Sequence, residues 1–140
     1  MTTNAMSDYL ENALLDHLFN NTQHTSPANV YLSLHTAAGA DEATASWSTT
    51  ELNSGTATNY ARAAAGPGVW GTAASGQVTL TSDVTFPTAG NNWGTITHVA
   101  IWDASSAGNL LFYGEISASR VIGSGDAARF ATGNLTVILR

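Results

Sequence analysis

The sequence predicts a mainly β protein, an antiparallel β-sandwich or jelly-roll-like barrel of about seven to eight strands carrying one N-terminal α-helix. Three observations lead there. Short runs rich in β-branched and aromatic residues recur along the chain, separated by clusters of Gly, Pro, Asn, Asp and Ser. One stretch, residues 92–116, is longer and more apolar than the others and is interrupted once, at Gly108-Asn109, in the manner of a hairpin. Apolar residues at helical spacing occur convincingly only near the N-terminus.

The long stretch is the expected centre of the sheet. His98, Val99, Ala100, Ile101 and Trp102 follow one another without polar alternation, which predicts a strand covered on both faces. Ile96, Ile101, Trp102, Leu110, Phe112 and Ile116 are the candidate core, each worth roughly 1.5 to 3 kcal/mol when buried. Asp103, at the corner of the hairpin, is expected to cap the turn through its side chain.

The remaining elements follow in order. Ser7-Asp8, with Glu11 three residues after Asp8, reads as a helix start of the capping-box kind. Met6, Leu10, Ala13, Leu14, His17 and Leu18 then share a face, and Asn20-Asn21 ends a helix expected over 7–20. Its apolar stripe must lie on the sheet or on a neighbouring subunit. After Pro27, Val30, Leu32 and Leu34 alternate with Tyr31, Ser33 and His35, the pattern of a half-buried strand. A long polar loop is expected over 37–58, and its apolar residues Trp47 and Leu52 are expected to anchor it, an intersubunit contact being the preferred target. Extended segments are expected at 60–65, 77–81, 84–87, 118–122, 127–130 and 135–139, with turns at 66–68 and 123–126. The 140 residues fit one domain, with the helix at 7–20 and the β portion from 28 to 140.

Composition bounds the chemistry. With no cysteine, neither disulfides nor thiolate metal sites are available. Charged residues are 10% of the chain, against about 25% in ordinary soluble domains. Lysine is absent, the basic residues are Arg62, Arg120, Arg129 and Arg140, and the formal charge is −6. Nucleic-acid binding, which needs a basic patch, is not expected. No run suits a membrane span, and Met1 to Met6 has no export-signal pattern. A polar, weakly charged surface suits a protein held permanently in an assembly.

The chemical motifs are sparse. Residues 66–71 spell G-x-G-x-x-G, but Pro67 lies inside it and a strand follows where a dinucleotide site needs a helix, so the segment reads as a turn. His17, His24, His35 and His98 form no metal-ligand spacing, so no metal and no cofactor are expected, and His98 in the central strand is the histidine of most interest. Carboxylates opposed for acid–base work are lacking, and no enzymatic activity is expected. Of the four tryptophans, Trp102 is assigned to the core. The candidate interface residues are Trp47, Leu52, Trp70 and Trp93, joined by Tyr9 and Leu10 on the helix.

Several stretches together resemble a family of small tailed-bacteriophage virion structural proteins, commonly labelled phage tail fibre or phage structural proteins. They are residues 7–12 and 14–17, Val30 to Thr36, Tyr60-Ala61-Arg62, Val84 to Pro87, Trp93 to His98, Ile101 to Ala104, Gly108 to Leu111, and Gly133 to Thr136. The resemblance runs nearly end to end and carries over no catalytic residue. It implies a virion structural protein made in the host cytoplasm. The expected role is a capsid decoration or cement protein on the outer surface of the head, a homo-oligomer, trimeric, bridging neighbouring major capsid proteins. Binding only the expanded shell would stabilise it by mass action. The alternative is a tail, baseplate or tail-fibre component, an adaptor or a receptor-contacting tip, with tail proteins as partners.

Overall fold

The computed structural model describes residues 5–139; Met1–Asn4, within the stretch read for an export signal, and Arg140 lie outside the described residues. In chain order the elements are β1 (Ala5–Met6), α1 (Asp8–Phe19), β2 (Tyr31–His35), α2 (Thr44–Ser48), β3 (Ala63–Ala64), β4 (Gln77–Thr79), β5 (Val84–Thr88), β6 (Gly94–Trp102), β7 (Leu110–Ile122), β8 (Ala127–Phe130) and β9 (Thr136–Ile138). The fold is mainly β with one main helix near the N-terminus, as the sequence predicts. A five-stranded antiparallel sheet has the order β1-β7-β6-β2-β3, and two-stranded ribbons β4-β9 and β5-β8 complete the strands.

The central pair is the expected hairpin. Ile101 stands opposite Phe112 and Ala100 opposite Tyr113, while on the other side Leu32 faces Ile101 and His35 faces His98. Val99, Ala100, Ile101 and Trp102 are all buried, because both faces of the sheet are covered. One face packs Leu32, Leu34, Ile96, Val99, Ile101 and Leu111 against Leu80, Val84 and Phe86 of the ribbon segments. The opposite face holds a smaller cluster of Trp47, Ala100, Trp102, Leu110 and Tyr113. The register of β6 with β7 shifts twice: at a large bulge Ile96 faces Arg120 and His98 faces Glu115, so Ile116 to Ser119 stand against Thr97 alone, and near the hairpin Ile101 faces Phe112 but Trp102 faces Leu110, leaving Leu111 extra. From within the bulge to near the end of β7, Ser117 to Val121 are exposed.

Three local expectations change. The α1 cap is Ser7, one residue before Asp8: its hydroxyl oxygen accepts from Leu10 N at 3.3 Å and its hydroxyl donates to the Leu110 carbonyl, tying the helix start to the sheet. β2 is not half-buried. Leu32 and Leu34 face the larger core as predicted, but Ser33 and His35 are also 0% exposed, because α2 and the Trp102 layer cover their side of the sheet. Their polarity reads as a wet face and is instead matched by internal hydrogen bonds. The long polar stretch contains α2, and the Trp47 it carries docks within its own subunit.

Candidate functional site

The second face of the sheet carries a connected set of polar contacts. Trp102 Nε1 donates to Ser33 Oγ at 2.7 Å, and Ser33 Oγ lies 2.6 Å from His35 Nε2. His35 Nδ1 lies 3.0 Å from Thr50 Oγ1, which in turn lies 3.2 Å from the Trp47 carbonyl oxygen. Two neutral tautomers satisfy these contacts, because the Ser33 hydroxyl also reaches the Ala100 carbonyl at 3.5 Å: either His35 donates from Nδ1 to Thr50 and accepts at Nε2 from Ser33, or it donates from Nε2 to Ser33 and accepts at Nδ1 from Thr50. In both, every donor in the relay has an acceptor. Burial, with the Arg62 guanidinium and His98 nearby, pushes the His35 pKa down to about 3, so the ring is neutral. Ser33 and His35 form a serine–histidine pair, but both are sealed from solvent, and the pair serves packing.

Arg62 closes the same region from the side. Its Nε and Nη2 grip both oxygens of Glu51 at 2.8 and 2.6 Å, and Nη1 donates to the carbonyls of Ala104 and Ala107 at 2.9 and 2.8 Å. The guanidinium carbon sits 4.0 Å from the centre of the Trp102 ring. The side chains of Arg62 and Glu51 are only 6% and 12% exposed. Tyr60 completes the set: its hydroxyl donates to Glu51 Oε1 at 3.0 Å and accepts from Leu34 N at 3.1 Å. Burial, then the Glu51 charge, raises the Tyr60 pKa and keeps the phenol protonated. One arginine thereby holds the chain before β3, the loop after α2 and the tip of the β6–β7 hairpin.

That tip is built as expected. Asp103 accepts from Asn109 N at 2.7 Å and from Asn109 Nδ2 at 2.8 Å. Gly108 has φ +75°, and a Cβ there would run into Asp103 and Ala104.

The candidate interface residues divide by burial. Trp47 is 0% exposed, stacked on Tyr113 with ring centres 4.7 Å apart, edge-on to His35 and His98, and donating from Nε1 to the Asp41 carbonyl at 2.9 Å. Trp93 is buried, edge-on to Tyr60, with Nε1 donating to Thr58 O at 3.0 Å. Leu10 is buried beneath α1. Leu52 and Trp70 are half-buried against the larger core, and Trp70 Nε1 donates to Ala65 O at 2.8 Å. Tyr9 is exposed, edge-on to His24. The structure therefore does not gather these six into one surface. His98 is half-buried with its Nδ1 2.8 Å from Thr97 Oγ1, and burial lowers its pKa despite the neighbouring Glu115.

Arg62, Glu51, Tyr60, Ser33, His35 and Thr50 were not singled out as a cluster by sequence reasoning. One signal was present: an arginine among alanines, in a chain with four basic residues, has to have a specific partner.

Two open features adjoin the larger core, and Val137 and Leu139 line both. An apolar cavity of about 320 Å³ is lined by Val30, Trp70, Leu111 and Val137 among others, and a groove of about 450 Å³ runs between β1, α1, β7 and β9. Near the groove the carboxylates of Asp8, Glu11 and Glu42 lie within 4.8 Å of one another, and the Tyr113 hydroxyl donates to Glu42 Oε1 at 2.7 Å. Burial, then Glu42, raises the Tyr113 pKa.

Fold and site together define a structural β module, whose buried polar groups fasten the subunit's own loops to its sheet. The chain belongs to the phage family described as Podophage GP4 fiber I protein gp80, which matches residues 5–138. No curated protein matches it in sequence.

Proposed function

We propose that this chain is a structural subunit of a phage tail fibre, built into the virion at the tail and held there by tail proteins and by further copies of itself. The observation that carries the reading is membership, over residues 5–138, of a family described as a fibre protein. The expectation of a head decoration bridging major capsid proteins has no comparable support, so the tail takes precedence. The interior favours a permanent mechanical part: a relay of buried hydrogen bonds and a buried ion pair brace loops in one arrangement. Within the fibre, an attachment or shaft role is favoured over receptor contact. Trp47, Trp93 and Trp102 are buried and Trp70 is half-buried with its Nε1 bonded, so the indoles offer no open stacking platform for sugars. A trimer remains the proposed assembly.

Immunogold labelling of intact virions with an antibody raised against the chain tests the location. Label confined to the tail or its fibres is the expected result, and label spread over the head surface overturns the proposal.

A further inference from the structure

The strongest unexplained surface is the open side of α1 together with the groove it borders. α1 is held on one side by Leu10 and Leu14, which pack on the larger core. On another side the chain returns along it, with His24 N donating to His17 Nδ1 at 3.3 Å and the His24 ring edge-on to Tyr9. The third side is uncovered. There Glu11, Leu15 and Leu18 follow at i, i+4 and i+7 with Phe19 beside them, and Leu15, Leu18 and Phe19 are 54%, 71% and 77% exposed. Helical spacing makes this stripe continuous with the groove, because Glu11 is itself a groove residue.

The groove floor is apolar, formed by Val99, Ile101, Phe112 and Val137, while Glu11 and Glu115 are the charged residues that line it. Asp8 and Glu42 add negative charge next to Glu11. None of the described residues lining the groove is basic. An apolar ridge and an apolar trough with acidic residues around them fit a partner whose apolar anchors are flanked by Lys or Arg. A second copy fits poorly on charge. The chain has no lysine and carries −6, Arg62 is buried against Glu51, and Arg129 is paired with Asp83, so among the described residues a second copy would bring one further exposed arginine, Arg120, to a groove lined by acidic residues.

The geometry points to a docking site for a basic amphipathic segment of another protein, seated between α1 and β9 with its apolar anchors on Leu15, Leu18, Phe19 and the groove floor and its cations on Glu11 and the adjacent Asp8. The site stands on the surface itself and does not depend on where the virion carries the chain.

The test uses the full chain and two labelled synthetic helical peptides, one of leucine and lysine and its counterpart with glutamate replacing lysine, followed by fluorescence anisotropy. The lysine peptide is expected to bind at least about tenfold more tightly than the glutamate peptide. A Leu18→Ser/Phe19→Ser variant, altered only at exposed positions and checked for an unchanged thermal transition, is expected to weaken that binding on the order of tenfold. Glu11→Gln should weaken it roughly threefold. Ser124→Lys, the same change in net charge at an exposed turn, should leave it unaltered. No binding of the lysine peptide, equal binding of both peptides, wild-type binding by Leu18→Ser/Phe19→Ser, or equal weakening by Glu11→Gln and Ser124→Lys would each overturn the proposal. So would sedimentation showing an oligomer that Leu18→Ser/Phe19→Ser dissolves, because a second copy would then occupy the face.

Discussion

Replacing Arg62 with leucine removes both arms of the ion pair to Glu51, two donations to the hairpin tip and the cation over Trp102. The carbonyls of Ala104 and Ala107 lie in the hairpin loop, where water can replace the guanidinium, so their loss is minor. Glu51 is the main term. Its side chain is 12% exposed and keeps only the Tyr60 hydroxyl of its three side-chain donor contacts, leaving a buried carboxylate without a cation. Breaking a buried pair in this way costs about 3 to 5 kcal/mol. Unfolding entropy near ~2.1 cal/mol/K per residue over 140 residues gives roughly 0.3 kcal/mol/K. A loss of about 4 kcal/mol therefore lowers Tm by about 14 °C, readable by calorimetry or by circular dichroism. Arg62→Leu/Glu51→Leu removes the orphaned charge as well and should lose less than Arg62→Leu alone. A fall of under ~3 °C for Arg62→Leu, or a double variant that loses the sum of the two single losses, would refute the assignment of Arg62 as the fastener of these loops.

Other consequences are as direct. Ser33→Ala leaves Trp102 Nε1 without an acceptor and His35 Nε2 without its partner, and should cost about 2 to 4 kcal/mol in urea unfolding. His35 titrates at about 3 in the fold against 6.5 unfolded, so the unfolded chain takes up the proton first. Its contribution is complete above pH 6.5 and is lost as pH falls towards 3, at up to ~1.4 kcal/mol per pH unit; His35→Gln should show a shallower acid limb in stability measured against pH. Trp47→Ala empties the smaller core and should cost about 3 to 5 kcal/mol within the subunit, whatever its assembly. Gly108→Ala forces a side chain into Asp103 and Ala104 at positive φ and should destabilise by roughly 1 to 3 kcal/mol, with looser protection of the Asn109 amide in hydrogen exchange.

Much of the fold was legible because its central hairpin is written in local signals. Unbroken apolarity from His98 to Trp102 announced two covered faces, Asp103 and Gly108 announced the corner, and the spacing around Leu10 announced α1. The site was less legible, for a physical reason. Ser33 and His35 have the polarity of an exposed strand face, and only contacts from Trp102 and Thr50, 69 and 15 residues away in sequence, make their burial tolerable. Trp47 was correctly read as an anchor, but a sequence does not say what an anchor meets; the uncovered second face of its own sheet was the nearest apolar surface. The Leu15–Leu18–Phe19 ridge was partly anticipated, since Leu18 belongs to the stripe that was expected to need a sheet or a neighbour. The bulge at Ile116 to Ser119 left no local signature, because serine and alanine there fit either a regular strand or a loop.

The most direct measurement of the proposed role is the number of copies of this chain per virion, determined by quantitative mass spectrometry against the major capsid protein. A fibre subunit predicts a small multiple of the tail's own symmetry, from a few to a few dozen copies. Hundreds of copies, near one for each major capsid protein, would place the chain over the shell and contradict the account.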